Sequence, residues 1–313
     1  MSRSSPHHCF SSQMHRPASC WTRLVRFIAH EDSSEQEHYG EPTCGPDEDI
    51  GHLFASGAVL KARLVQGDPL SPACSFESPQ KILSVKKLLA PVDVPQCGAS
   101  IRCLGTNYPI SGAKKPALPI LFFKPYTCLA GFGDAIVVPK EVQDQSDYEV
   151  ELVLVIGRAG RNIPVQSALD HYTLCNDVSA RKRMAATPQW GMGKCYDGWL
   201  PMGPCLVSAA SYPSAHSSTQ LRTHISSQVA LNPLQDGNTS DLLWKVAETV
   251  SALSYGSTLR VGDVVCTGTP DGQGSGRKPP VWLRDGDKVT VWGEGIGSLV
   301  NPVVWESYRD TKL

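Results

Sequence analysis

No run of apolar residues in this chain approaches the roughly 18 that a membrane-crossing helix requires, and its 313 residues carry a formal net charge of only −1. The first absence argues against a helical membrane protein. The second, with no basic run interleaved with aromatics, argues against a nucleic-acid surface. The 11 cysteines are odd in number and include no C-x-x-C pair. Scattered reduced thiols are therefore expected, rather than a disulfide framework or a cysteine-based zinc site. There is no P-loop, no G-x-G-x-x-G after a strand, no G-x-S-x-G and no internal repeat. What remains is an ordinary globular composition, 41% hydrophobic and 19% charged, long enough for one large domain and a smaller one. The expected partners are small molecules or a second copy of the chain, with no nucleic acid and no membrane.

Acids are also missing from residues 1–30, which carry Arg3, Arg16, Arg23 and Arg26 among many serines. That composition fits a mitochondrial transit peptide and fits a disordered extension equally well. A cytoplasmic location is the expectation, with a mitochondrial one as the alternative. Residues 1–20 are read as disordered and 21–95 as a small, mostly β domain. Its elements are Leu24–Phe27, a polar break over 31–50, then strands over 58–65 and 81–89. Pro91, Pro95 and Gly98 mark a boundary, and a larger β-rich domain is expected over 99–308. Within it the 3.6-residue apolar period predicts a helix from Ser240 to Leu253. A shorter helix is expected over Gln166–Tyr172. Gly262-Asp263 and Gly286-Asp287 each feed a strand, so a β roll in an α+β, β-rich chain is the expected architecture.

The stretch around which the chain is organised is Asp147-Tyr148-Glu149-Val150-Glu151-Leu152, which continues as Val153-Leu154-Val155-Ile156. In a strand, residues two apart share a face at roughly 6.5–7 Å. Glu149 and Glu151 would then stand side by side in an apolar setting, where like charges repel and burial adds to their cost. Either a cation lies between them or they face water. Asp177 is the next acid in an apolar context. Three carboxylates without a nearby His or Cys pair form a hard oxygen set suited to Mg²⁺ or Mn²⁺, with positions left for water or substrate.

Six motifs then occur in order: Phe123-Lys124-Pro125, Asp147 to Leu152, Asn176-Asp177-Val178-Ser179-Ala180-Arg181, Gly193-Lys194, Asp236-Gly237-Asn238-Thr239-Ser240-Asp241 and Thr267-Gly268-Thr269-Pro270. Together they resemble the fumarylacetoacetate hydrolase family, in its acylpyruvase and oxaloacetate-tautomerase branch, over about residues 99–303. The resemblance implies a mixed β-sandwich roll with a smaller N-terminal β domain, a homodimer, and Mg²⁺ or Mn²⁺ on Glu149, Glu151 and Asp177. It implies a 2-oxo or β-dicarbonyl acid as substrate, with the metal stabilising an enolate. Lys194 matches the family's active-site lysine. Arg181, Gln189 and Thr269 resemble substrate contacts, and Tyr108 and Lys124 resemble pocket walls.

One loop departs from the family pattern. Hydrolytic members read N-Y-x-x-H-x-x-E after this strand, and the His–Glu pair activates a water. Here Ser111 and Lys114 stand in those places, so Lys194 and Ser111 are the candidate catalytic residues. A second departure is Lys182, where the family carries an acid. A hydroxyl without a base cannot replace imidazole near neutral pH. Decarboxylation or keto–enol isomerisation is therefore the expected reaction. C–C hydrolysis of an acylpyruvate, or a non-catalytic metal- and ligand-binding role, is the alternative.

Overall fold

The computed structural model describes residues 19–112, 114–167, 171–212, 217–228 and 232–307. Four strands, Arg23–Ala29, Glu37–Pro42, Lys61–Gln66 and Ile82–Leu88, pair into a closed ring in the N-terminal unit. The second of them lies within the stretch expected as a polar break. Only Gly40 and Pro42 of that strand are buried, so no apolar side chain marks it in the sequence. Gly40 is there because a Cβ would come within 2.9 Å of the Arg63 carbonyl oxygen. The first strand also serves the larger unit, with Arg23 and Leu24 opposite Val207 and Leu206 of strand Leu200–Ser208.

From that junction the sheet runs through Leu200–Ser208, His171–Asn176, Val150–Val155, Val264–Cys266, Ile101–Gly105 and Ile120–Lys124. Val150–Val155 is central, antiparallel to both its neighbours and buried at all six positions. Such burial needs cover on both faces. On one face Val150, Leu152 and Leu154 join Leu221, Val289, Val291 and Leu299 in a common core. Those four come from a second sheet, ordered Gln235–Asn238, Gln220–Ile225, Lys288–Gly293, Gly297–Trp305 and Ile136–Val138. On the other face Val153 and Val155 pack with Ile101, Phe122, Cys175 and Cys266. The β-rich roll expected from the sequence is the observed architecture. Among the described residues no helix is long and apolar enough to cross a membrane.

Two expected helices differ. The segment opening at Gln166 forms a 3₁₀ turn over Val165–Ser167, and His171 and Tyr172 already belong to strand His171–Asn176; residues 168–170 lie outside the described residues. Tyr172 is held between Leu154 and Val207, and this pairing overrides a short, ambiguous local pattern. His171 is buried against the Trp21 ring at 4.8 Å.

The long helix begins at Val246 instead of Ser240 and ends at Ser254. Thr239–Asp241 is a 3₁₀ turn capped by Asn238. Beyond it Asn107 captures the chain. Its carbonyl accepts the Leu243 N–H at 2.8 Å, and its side-chain oxygen accepts the Trp244 N–H at 2.7 Å. The same side-chain amide donates to the carbonyls of Thr267 at 2.7 Å and Trp244 at 3.2 Å. Asn107→Ala removes three bonds to backbone, the one to Thr267 buried and the two to Trp244 half-buried, and is expected to cost about 3 kcal/mol in urea denaturation. A loss under about 1 kcal/mol would mean that this clasp does not hold the segment.

Candidate metal and substrate site

The expected acidic strand is interrupted. Ser146–Asp147 pairs with Ser179–Ala180, Tyr148 and Glu149 leave the ladder, and pairing resumes at Val150. The neighbouring strand end holds this break in shape. Glu149 donates its N–H to the Asn176 side-chain oxygen at 2.9 Å, and its carbonyl accepts the Asp177 N–H at 2.9 Å. Asp177 thus stands beside Glu149, one step past the Glu151–Cys175 and Val150–Asn176 pairs. Glu149, Glu151 and Asp177 each offer a carboxylate oxygen, and all three lie within 4.8 Å of one another. All three are buried. They form an all-oxygen donor set that fits a hard divalent cation.

Thr269 and Gln235 complete the strand end. Thr269 Oγ1 donates to the Val150 carbonyl at 2.8 Å and accepts from Gln235 Nε2 at 2.7 Å, while Gln235 Oε1 accepts the Val150 N–H at 3.0 Å. Gly268, at φ +95°, directs its N–H to Glu151 Oε2 at 2.8 Å. A Cβ there would meet Asn107 Cβ at 2.9 Å, so glycine is required both by conformation and by space.

Three cations face the acids. Lys124 Nζ donates to Asp177 Oδ1 at 2.6 Å and to the Trp199 carbonyl at 2.8 Å. Lys194 Nζ lies 2.6 Å from Glu149 Oε2 and 2.5 Å from Asp177 Oδ2. Arg181 places Nη1 2.5 Å from Glu149 Oε1 and Nε 2.7 Å from Asp147 Oδ2. Its Nη2 is buried without a hydrogen-bond partner. Lys194 reaches the acids because its short helix, Gly191–Lys194, packs on helix Arg181–Ala185 through Gly193. A Cβ at 193 would meet the Ala180 carbonyl oxygen at 2.7 Å.

Burial raises Glu151 well above the usual carboxylate range, and the charges of Asp177 and Glu149 add to this; Lys194 and the Gly268 N–H only partly offset it. Burial would also raise Asp177, but Lys124 and Lys194 outweigh it and hold that carboxyl below its ordinary value. For Lys194 the adjacent Asp177 and Glu149 outweigh desolvation and raise the ammonium above its usual range. Asp177 and Lys194 are thus held charged by their neighbours, whereas Glu151 is not.

These groups open onto a cavity of about 460 Å³ lined by Glu149, Glu151, Arg181, Lys194 and Thr269 at one end. Ile110, Phe122, Met184 and Trp190 supply an apolar wall, with Trp190 edge-on to Phe122 at 5.5 Å. No histidine lines it among the described residues.

Of the residues singled out in the sequence, Glu149, Glu151, Asp177, Lys194, Arg181 and Thr269 are brought together. Lys124 lies beneath them as a buried ion-pair partner of Asp177 and is absent from the cavity lining. Tyr108 is buried, its hydroxyl unpartnered; burial, then the Glu151 charge, raises it above the ordinary phenol range. Gln189 is exposed in the bend before Trp190, where its backbone carbonyl accepts from Thr187. Ser111 lies in the 3₁₀ turn Ile110–Gly112, and its side chain is outside the described residues. Sequence reasoning passed over Asp147 as a site residue. Its carboxylate takes Arg181 together with the N–H groups of Gly274 at 2.8 Å and Ser275 at 3.0 Å. Its place at the head of the acidic motif was the available signal. Gln235 had none, because it arrives from the other sheet.

Next to Lys194, Cys195 is half-buried, and a hydrogen bond from Cys128 lowers its thiol to about 7, with Lys124 adding to the effect against desolvation. Cys97 is exposed, yet burial of its thiol raises it. Alkylation of Cys195 followed by peptide mass spectrometry is therefore expected to accelerate as pH rises through about 7, ahead of Cys97. Equal pH profiles at the two sites would count against this Cys128–Cys195 arrangement.

Comparison with known proteins shows the family of the chain. Residues 98–304 match the family described as fumarylacetoacetate (FAA) hydrolase C-terminal. The chain is 36% identical to a caffeoylpyruvate hydrolase of Neonothopanus nambi over 298 residues, covering 91% of this chain and 94% of that protein. It is 37% identical to the oxaloacetate tautomerase YisK of Bacillus subtilis over 230 residues, covering 71% and 74%. The solved structure of 5-carboxymethyl-2-hydroxymuconate delta-isomerase from Mycobacterium smegmatis superposes with a TM-score of 0.73 at 29% identity, covering 91% of this chain and 100% of that one. The chain is an enzyme and belongs to the fumarylacetoacetate hydrolase family.

Proposed function

We propose that this enzyme acts on a 2-oxo or β-dicarbonyl acid with the help of Mg²⁺ or Mn²⁺, and that its reaction is keto–enol isomerisation or the closely related decarboxylation. The observation that carries this reading is the convergence of Glu149, Glu151 and Asp177 beside Lys194, in a cavity with no imidazole among its described lining residues. Glu149, Glu151 and Asp177 are the residues that would hold the cation. When bound, it would supply Lewis acidity toward the keto and carboxylate oxygens of the acid.

Charge balance supports an anionic substrate. Asp147, Glu149, Glu151 and Asp177 face Lys124, Lys194 and Arg181, so with all groups ionised the site carries one net negative charge. A divalent cation inverts it to one positive charge, the sign that attracts a carboxylate. The unpartnered Arg181 Nη2 offers a charge-assisted donor to that carboxylate. Lys194 sets an ammonium beside the carbon acid, where it stabilises negative charge developing on oxygen and can move a proton. Ile110, Phe122, Met184 and Trp190 accommodate an apolar remainder. Neither isomerisation nor decarboxylation requires an activated water.

The second reading is hydrolysis of an acylpyruvate C–C bond. It is favoured by the match to a caffeoylpyruvate hydrolase along 91% of the chain, and it requires a base other than the missing histidine.

One assay separates the readings. A panel of 2-oxo acids is followed by NMR with Mg²⁺ or Mn²⁺ in D₂O and in H₂¹⁸O. Exchange at the carbon next to the keto group, or CO₂ release, is expected; ¹⁸O in a carboxylate product of cleavage would establish hydrolysis instead. Metal is expected to raise the melting temperature of the wild type and to leave Glu149→Gln nearly unmoved. No metal-dependent shift, together with unchanged turnover in that variant, would end the metal reading. Lys194→Met is expected to lower turnover by about 10²-fold or more with the fold intact by circular dichroism.

A further inference from the structure

Behind the carboxylates lies a row of buried thiols that the proposed reaction does not use. Cys175 stands directly across from Glu151 on the neighbouring strand. Cys266 lies opposite Val153 on the other side, and Cys103 is its partner on the next strand, in side-chain contact. Cys175 Sγ and Cys266 Sγ are 3.7 Å apart. Their sulfurs and a Glu151 carboxylate oxygen all lie within 4.8 Å of one another. All three cysteines and Glu151 are buried.

A buried cysteine in a β core is most often a small apolar residue. Three features go beyond that role here. The sulfur pair meets a carboxylate rather than an aliphatic wall. The 3.7 Å separation matches the edge of about 3.8 Å expected for two sulfurs bound at about 2.3 Å in a tetrahedral zinc site. And Glu151 also lines the cavity, which places the carboxylate between the thiols and the substrate side.

We propose that Cys175, Cys266 and Glu151 form a second, thiophilic cation site directly behind the hard-cation site, sharing Glu151 with it, and that a soft divalent ion such as Zn²⁺ or Cd²⁺ bound there competes with the hard ion. Two thiolates and a carboxylate leave one tetrahedral position for water or for the nearby Cys103. Binding replaces the two S–H bonds by two metal–sulfur bonds and releases two protons to water, with no change of oxidation state. Because Glu151 cannot serve both ions at full strength, loading the soft site withdraws one ligand from the hard site. The enzyme would thereby be inhibited by thiophilic metals without any change to a surface cysteine.

The probe is Cd²⁺ alone, added to the full-length chain in a thiol-free reductant. One equivalent is expected to give the ultraviolet thiolate-to-cadmium absorption band. Cys175→Ala and Cys266→Ala should each lower it by about half or more, whereas Cys97→Ala, at an exposed cysteine, should leave it in place. A band undiminished in both buried-site variants would overturn the proposal. Should those variants fold poorly, zinc K-edge absorption of the wild type decides. A first shell with sulfur and oxygen supports the site, and one with oxygen or nitrogen only sinks it. Saturating Mn²⁺ should move the Cd²⁺ titration midpoint several-fold higher; an unmoved midpoint would overturn the sharing of Glu151. That last arm rests on the hard-cation reading of Glu151. The absorption and edge measurements do not, so failure of one reading is distinguishable from failure of the other.

Discussion

Four carboxylates and three cations share the end of one buried strand, and the rest of the molecule is arranged to make that concentration of charge tolerable. An isolated buried carboxylate is too costly to persist ionised. Here Asp177 lies between Lys124 and Lys194, and Glu149 between Lys194 and Arg181. Glu151 is the member least well served. It has a backbone N–H from Gly268 and no ion pair within contact distance among the described residues, and burial raises its carboxyl well above the usual range.

The strand geometry and the chemistry are linked through the break at Tyr148 and Glu149. An uninterrupted strand would have consumed the Glu149 backbone in a ladder. The break hands that backbone to Asn176 and Asp177, which brings the third acid alongside the first. Side chains from both sheets then replace the missing ladder partners of Val150, through Thr269 and Gln235. Networks of this kind rigidify a site to the extent that their members are engaged. Three donors are left over, Arg181 Nη2, Asn176 Nδ2 and the Tyr108 hydroxyl, and of these residues only Arg181 lines the cavity.

Much of this was legible in the sequence. Apolar runs located the strands at Arg23–Ala29, Lys61–Gln66, Ile82–Leu88, Val150–Val155, Val264–Cys266 and Lys288–Gly293, and the D-Y-E-V-E, N-D-V-S-A-R, G-K and T-G-T-P motifs located six residues that meet in space. The errors have physical causes. Strand Glu37–Pro42 was missed because its inward positions are Gly40 and Pro42, which carry no apolar signature. The helix expected from Ser240 starts at Val246 because Asn107 captures the intervening backbone. Lys124 resembled a cavity wall, yet its reach to Asp177 and to the Trp199 carbonyl draws it beneath the site.

The sequence by itself pointed to the acidic trio and the β-rich architecture through local periodicity and residue types at short spacing, and to the family through the resemblance of six ordered motifs. It also exposed the substitution of Ser111 and Lys114 in the loop after Tyr108. Only the tertiary structure decided that Glu151 faces Cys175 and Cys266, that Gln235 arrives from the second sheet, and that Arg181 keeps one nitrogen unpaired. Those facts depend on register between strands separated by as many as 115 residues in the chain, such as Leu152 and Thr267. No local pattern encodes that register; it is fixed when the two faces of strand Val150–Val155 are buried at once, and a slip of one residue would exchange Glu151 for an aliphatic side chain.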